Sequence, residues 1–194
     1  MRIDNRRFHI FVAVLIALGA EAALAAPVAV EPRAQGSVTK SGEPSVLDEL
    51  ELFRGTRISL VEAIAAAEKR HAGARTADAG FDGSTGRALY KVMTFEKDRI
   101  WENLVDGETG EIIGGPVISS IGEFNAEARK NLLALRTVRQ QMSDAVHIAE
   151  QSASRRAVGG SLTSIDGRLN FTIVVDSGSS LKQVVLEPPA GKGR

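Results

Sequence analysis

Ser59-Leu60-Val61-Glu62-Ala63-Ile64-Ala65-Ala66-Ala67-Glu68 is the stretch from which the rest of the chain can be organised. A serine followed three residues later by a glutamate is a capping box. The serine oxygen takes a backbone N–H that has no intrahelical partner, and Glu62 reaches back to the helix start. The apolar face that follows, Leu60, Val61, Ile64, Ala65 and Ala67, is narrow and short-chained, which suits close packing on a sheet, and the pattern stops at Gly73. Then the period changes. Leu89, Lys91 and Met93 point one way while Tyr90, Val92 and Thr94 point the other. Lys97-Asp98 turns the chain into Ile100, Trp101, Asn103, Leu104 and Val105. Asp106-Gly107-Glu108-Thr109-Gly110 is a tight turn closed by Glu111-Ile112-Ile113, with glycines that tolerate the backbone angles such turns need. This first unit reads as a helix followed by antiparallel strands.

Downstream, Gly114 to Gly122, containing Pro116, reads as a connector. From Phe124 to Arg156 the pattern is helical again, with Leu132, Leu133, Leu135, Val138, Met142, Ala145, Val146, Ala149 and Ala153 recurring mostly at threes and fours, and Ser143-Asp144 resembles a new start. Strands are expected at Arg168 to Val175 and Ser180 to Glu187, joined by Asp176 to Ser179. The two halves can be superposed. Glu62 to Glu68 falls on Asp144 to Glu150 at a shift of 82 residues, and Gly86-Arg87, Tyr90, Val92 and Ile100 fall on Gly167-Arg168, Phe171, Ile173 and Leu181 at a shift of 81. Two matches in the right order, one at a helix and one at a hairpin, point to duplication of a helix-hairpin unit.

The pattern Ser59-Leu60-x-Glu62-Ala63-Ile64-x-x-Ala67, then paired strands, then Val105-Asp106-Gly107-Glu108-Thr109-Gly110-Glu111-Ile112, resembles a PepSY domain. Met142 to Glu150 with Leu169 to Leu186 resembles a weaker, degenerate second copy, in which Glu187-Pro188-Pro189 stands where the turn into the last strand should begin. The resemblance implies an α+β fold of two helix-plus-antiparallel-sheet units in tandem. It also implies a non-catalytic module of exported bacterial proteins, of the kind found in propeptides of thermolysin-like metallopeptidases and suspected of binding or restraining peptidases. It supplies no catalytic residue.

Upstream, Arg2, Arg6 and Arg7 precede an apolar run from Phe8 to Ala20 and a small-residue site, Ala23-Leu24-Ala25. That order is a secretory signal cleaved after Ala25, and the run falls short of the roughly 20 residues that span a bilayer. The expected location is therefore the periplasm or outside the cell, with no membrane span after processing. Of the 24 basic and 24 acidic residues, the processed chain keeps 21 and 22, so nothing steers it toward nucleic acid or an anionic surface. With no cysteine, it folds without disulfides. The division expected is a signal at 1–25, a flexible leader at 26–54 with a short turn of helix at Val46 to Phe53, a first PepSY-like domain at 55–115, a helical connector at 116–136, a second PepSY-like domain at 137–188 and a flexible tail at 189–194.

No enzymatic constellation is expected. His71 and His147 lack a histidine at helical spacing and are read as ordinary helix residues, so neither a catalytic residue nor a metal or other cofactor is assigned. No serine stands in a Gly-x-Ser-x-Gly elbow, and the paired glycines do not precede helices. Carboxylates gather at Glu96, Asp98, Glu102, Asp106, Glu108 and Glu111, without a calcium-loop motif, and are read as a solvated hairpin. Tyr90, Phe171 and Trp101 are assigned to the core or its edge; an exposed Trp101 would be the best anchor of a binding surface. The interaction surface expected is Trp101, Glu102, Asp106 and Glu108, engaging an exported protein or peptide. The alternative is a periplasmic small-ligand or metal-ion sensor using the hairpin carboxylates. Leu132, Leu133 and Leu135 are expected to pack on the first unit or on the leader around Leu50 to Phe53, or else to serve a homodimer.

Overall fold

The computed structural model describes residues 45–189; the expected signal at 1–25, the part of the expected leader before Ser45 and the end of the expected tail at 190–194 lie outside the described residues. The segment expected to be a flexible leader ends in a full helix, α1 (Val46–Gly55), rather than a short turn. The cause is local: Ser45 Oγ accepts the Asp48 N–H at 3.3 Å while Asp48 Oδ2 accepts the Ser45 N–H at 3.0 Å. Its Phe53 is buried against Phe81, with ring centroids 5.5 Å apart.

The expected capping box starts α2 (Leu60–Arg70), where Glu62 N–H donates to Ser59 Oγ at 3.2 Å and Ser59 N–H to Glu62 Oε2 at 2.7 Å. The buried stripe is Leu60, Ala63, Ile64 and Ala67. Ala65, expected on that stripe, faces solvent, because threes and fours counted from Leu60 select Ala63 instead.

After α2 come β1 (Arg75–Asp82), β2 (Leu89–Glu96), β3 (Arg99–Asp106) and β4 (Ile112–Ser120). The expected long helix is broken into α3 (Ala126–Leu135) and α4 (Met142–Ala153), followed by β5 (Ala157–Ile165), β6 (Arg168–Asp176) and β7 (Leu181–Leu186). All seven strands form one antiparallel sheet in the order β4-β3-β2-β1-β5-β6-β7. The fold class is α+β, with four α-helices among the described residues.

Two strands were not legible. β1 reads Arg-Thr-Ala-Asp-Ala-Gly-Phe-Asp and β5 opens Ala-Val-Gly-Gly, both poor in the branched side chains that favour strands. Packing requires the small residues there: a Cβ on Gly160 would stand 2.7 Å from Ile173 Cδ1 and 2.9 Å from Met142 Sδ. Gly114 to Ser120, expected as connector, instead belongs to edge strand β4, which pairs with β3 on either side of an irregularity at Gly114-Gly115-Pro116.

Along the chain, α2-β1-β2-β3 and α4-β5-β6-β7 are two runs of one helix and three antiparallel strands. They meet where β1 pairs with β5 through Asp78↔Ser161, Ala79↔Gly160 and Gly80↔Gly159. α2 covers β1 to β3, α4 covers β5 and β6, and the two helices touch. One hydrophobic core runs through both runs, from Phe53, Phe81, Tyr90 and Val92 to Met142, Phe171 and Ile173. In α3, Leu132 and Leu135 are buried but Leu133 is 47% exposed. Its main strand neighbours are β5 and β6 rather than the first run or the leader, since those strands carry the apolar surface left uncovered by α4.

Candidate functional site

The two runs are joined by a reciprocal set of side-chain bonds. Glu68 on α2 accepts the N–H of Thr76, at the start of β1, at 2.9 Å. Glu150 on α4 accepts the N–H of Ala157, at the start of β5, at 2.8 Å. Immediately beside each bond stands an arginine that reaches into the other run. Arg75 donates to the carbonyls of Val138 at 2.6 Å and Gln140 at 2.7 Å, in the segment leading into α4, and to that of Leu135, the last residue of α3. Arg156 donates to Thr56 Oγ1 at 2.8 Å and to the carbonyls of Thr56 at 3.3 Å and Ile58 at 3.2 Å, in the segment leading into α2. Each strand then bulges one residue later, between Thr76 and Asp78 and between Ala157 and Gly159. In the sequence the glutamates fall on one another at a shift of 82 residues and the arginines at a shift of 81, but the arginines stand at β1 and β5, whose composition gives no strand signal that would single them out.

The Asp-Gly-x-Thr-Gly turn belongs to this framework. Asp106 Oδ1 accepts the N–H groups of Glu108 at 2.9 Å and Thr109 at 3.1 Å, and these bonds hold its carboxyl below the ordinary range. Gly107 has no room for a side chain, since a Cβ would stand 2.9 Å from Ala88 O. Its carbonyl accepts the N–H groups of both Arg57 and Ile58 at 3.0 Å. The turn thus fixes the segment from which α2 starts, and Tyr90 Oη donates to Ile58 O at 2.8 Å in the same segment.

The four residues expected as one interaction surface do not form one. Trp101 is 8% exposed and its indole stacks on the His71 ring, with centroids 4.3 Å apart and planes at 11°, so it is a core-edge residue and not an exposed anchor. Glu102 follows it on the strand and therefore faces the other side of the sheet. Asp106 is engaged in its turn, and Glu108 sits beyond it, 3.5 Å from Arg57. Of the remaining hairpin carboxylates, Glu96 lies beside Lys97 and Asp98 beside Arg136. No group of three or more His, Cys, Asp or Glu is placed to hold a metal ion among the described residues.

On the sheet face turned away from α2 and α4, one row of cross-strand partners runs Glu102, Met93, Asp78, Ser161. The Asp78 carboxylate has no hydrogen-bond or ion-pair partner among the described residues, and burial together with the negative charge of Glu102 pushes it up to about 7. An open cleft of about 440 Å³ lies between the start of α2 and the end of α4, lined by Ser59, Glu150, Gln151, Ser154, Arg155 and Arg156. Ser59 is engaged there in its helix cap, Glu150 with the Ala157 N–H and Arg156 with Thr56. Among the described residues, β4 and β7 are the outer strands of the sheet, and each has one edge with no neighbouring strand.

No helix among the described residues is long and apolar enough to cross a membrane. No curated protein matches the chain. Among solved structures, the chain is similar to a protein of Clostridium difficile 630 described as a lipoprotein, at 15% identity and a TM-score of 0.42, over 71% of this chain and 90% of that one. That likeness is too distant to carry an argument. The profile of the peptidase propeptide and YPEB domain family, PepSY, matches residues 57–115. The match covers the segment leading into α2, α2 itself, β1 to β3, the Asp-Gly-x-Thr-Gly turn and the start of β4: residues 57–115 are a PepSY domain.

Proposed function

We propose that this chain is an exported, non-catalytic interaction module that restrains a peptidase or engages another envelope protein. The observation that carries the reading is the PepSY domain at residues 57–115, since PepSY domains are propeptide-like modules, combined with its position in a sheet whose two outer strands have no further strand beside them among the described residues. Residues 137–188 act in this reading as a degenerate second PepSY domain. The support is the correspondence of Glu68 with Glu150 at a shift of 82 residues, and of Arg75 with Arg156 and of the two bulges at a shift of 81. Export rests on the basic, apolar and small-residue order of the first 25 residues. A secreted chain whose amino terminus is Ala26 supports that part, and one that retains Met1 in the envelope counts against it.

The functional test is to add the purified, processed chain to the exported peptidases of its own cell. Inhibition of a metallopeptidase that follows added chain and is reversed by antibody to it supports the proposal. If no exported peptidase changes in rate and native cross-linking retains no envelope protein, the proposal fails.

A further inference from the structure

Laid on the first run at a shift of 81 residues, β7 takes the place of β3: Leu181 stands at Ile100, Lys182 at Trp101, Gln183 at Glu102 and Val185 at Leu104. β3 has β4 on its outer side, in register through Glu102↔Val117, Trp101↔Ile118 and Leu104↔Ile113. β7 has no strand on its outer side among the described residues, and Glu187-Pro188-Pro189 carries the chain away where Asp106 to Gly110 folds it back. The backbone groups aimed outward can be named. Asp176 N–H is turned toward β5, donating to Arg156 O at 3.0 Å, so its cross-strand partner Leu181 does not exchange hydrogen bonds with it. The antiparallel alternation then leaves the N–H and C=O groups of Leu181, Gln183 and Val185 facing out, while Lys182, Val184 and Leu186 bond to β6.

The two edges differ in what they admit. β4 is interrupted at its centre by Gly114, Gly115 and Pro116, a sequence that blunts an edge. β7 is regular over six residues, contains neither glycine nor proline, and leaves Val185 45% exposed. Its one charge is Lys182, which has no ion-pair partner among the described residues and occupies the position where Trp101 faces Ile118. We infer that the outer edge of β7 receives an extended antiparallel strand from a partner polypeptide, rich in β-branched residues like β4 but with an acidic residue opposite Lys182. Main-chain hydrogen bonds supply the attachment, and the cross-strand acid at Lys182 sets the register and selects the partner. This inference rests on reading the chain as an interaction module and names the surface that the module uses.

The test uses the full chain and a capped hexapeptide of sequence threonine, valine, glutamate, valine, threonine, valine, with a second peptide carrying lysine in place of glutamate. At saturation, amide exchange at Leu181, Gln183 and Val185 should slow by at least about tenfold, with β4 amides unchanged. The glutamate peptide should bind about fivefold more tightly than the lysine peptide, the size of one cross-strand charge pair. Gln183→Pro, which removes one outward donor and no bond to β6, should abolish the slowing without moving the melting temperature. If Gln183→Pro unfolds the chain, Val185→Asp, on the same exposed edge, takes its place. Three results would overturn the inference. One is unchanged β7 exchange in folded protein at millimolar peptide, as expected if Lys182 merely guards the edge. Another is equal binding of the two peptides. The third is slow β7 exchange in the chain alone that grows with its concentration, which would place a second copy on the edge. The interaction-module reading falls separately, when the intact chain neither inhibits a peptidase nor retains an envelope protein.

Discussion

Asn103 lies on β3 opposite Val92, 1% exposed, and neither its amide nitrogen nor its oxygen has a hydrogen-bond partner among the described residues. At the corresponding position of the second run stands Val184, which packs on the core. Leaving a polar group buried and unpaired costs roughly 1–3 kcal/mol. Asn103→Val is therefore expected to raise stability by about 1–2 kcal/mol, measured by urea denaturation; a loss of stability would show that the amide is satisfied in solution or that the two positions are not equivalent. Asp78 makes the opposite kind of prediction. Its carboxyl titrates near 7 in the fold against 3.8 unfolded, so the folded state binds its proton more tightly. The stability it contributes is complete below pH 3.8, declines as pH rises toward 7, and is absent above that. Asp78→Asn should flatten this decline and make the protein more stable at pH 8 by about 1–3 kcal/mol, with little change at pH 4. A wild-type pH profile unchanged by the substitution would contradict the assignment.

At the scale of elements, the arginines decide how the runs are held. Arg75 and Arg156 each satisfy carbonyls that precede a helix of the other run, where no backbone donor is available to them. Replacing Arg156 by Met removes the donors yet keeps much of the apolar stem, and is expected to cost about 2–4 kcal/mol because the carbonyls stay buried. Arg75→Met should behave alike. α1 is secured in the same cross-run manner: Arg54 makes a bidentate pair with Asp176 at 2.8 and 3.0 Å and donates to Gly178 O at 2.6 Å. This pairing holds the Asp176 carboxyl below its usual range, so the contribution of the pair is present above pH 3.8 and is lost as pH falls through the lowered value. Leu132→Ala, which opens the contact of α3, should cost about 2–5 kcal/mol, whereas Leu133→Ala, at an exposed site, should cost much less.

For the whole molecule these bonds predict a single cooperative transition. The one tryptophan, Trp101, reports on the first run, and the far-ultraviolet spectrum reports on both, so their thermal transitions should coincide. Separate midpoints would show that the runs fold independently. Residues 57–115 expressed alone should fail to fold stably. They would expose the β1 edge and the flank of α2 that meets α4, and lose the Arg156 bond to Ile58. A dispersed amide spectrum from that fragment would refute the expectation.

What the sequence by itself determined about this protein is local. The Ser59 and Glu62 box starts a helix wherever it is placed, alternation around Tyr90 and Phe171 makes strands, and Asp106 to Gly110 makes a turn, because each involves neighbouring residues only. The PepSY resemblance was legible for the same reason, resting on that helix and that turn. What only the tertiary structure decided depends on partners distant in the chain. β1 and β5 carry weak strand residues and are strands because each pairs on one side with a stronger strand, β2 or β6, and on the other side with its counterpart. Gly114 to Ser120 has the composition of a loop and becomes a strand because the edge of β3 offers it hydrogen bonds. Trp101 could have been a surface anchor or a core-edge residue by sequence, and the His71 ring at the end of α2 decided it. The reciprocal arginines, the exposed edge of β7 and the unpaired Asp78 have no periodic signature at all, since burial and unmet hydrogen bonds are properties of the assembled sheet.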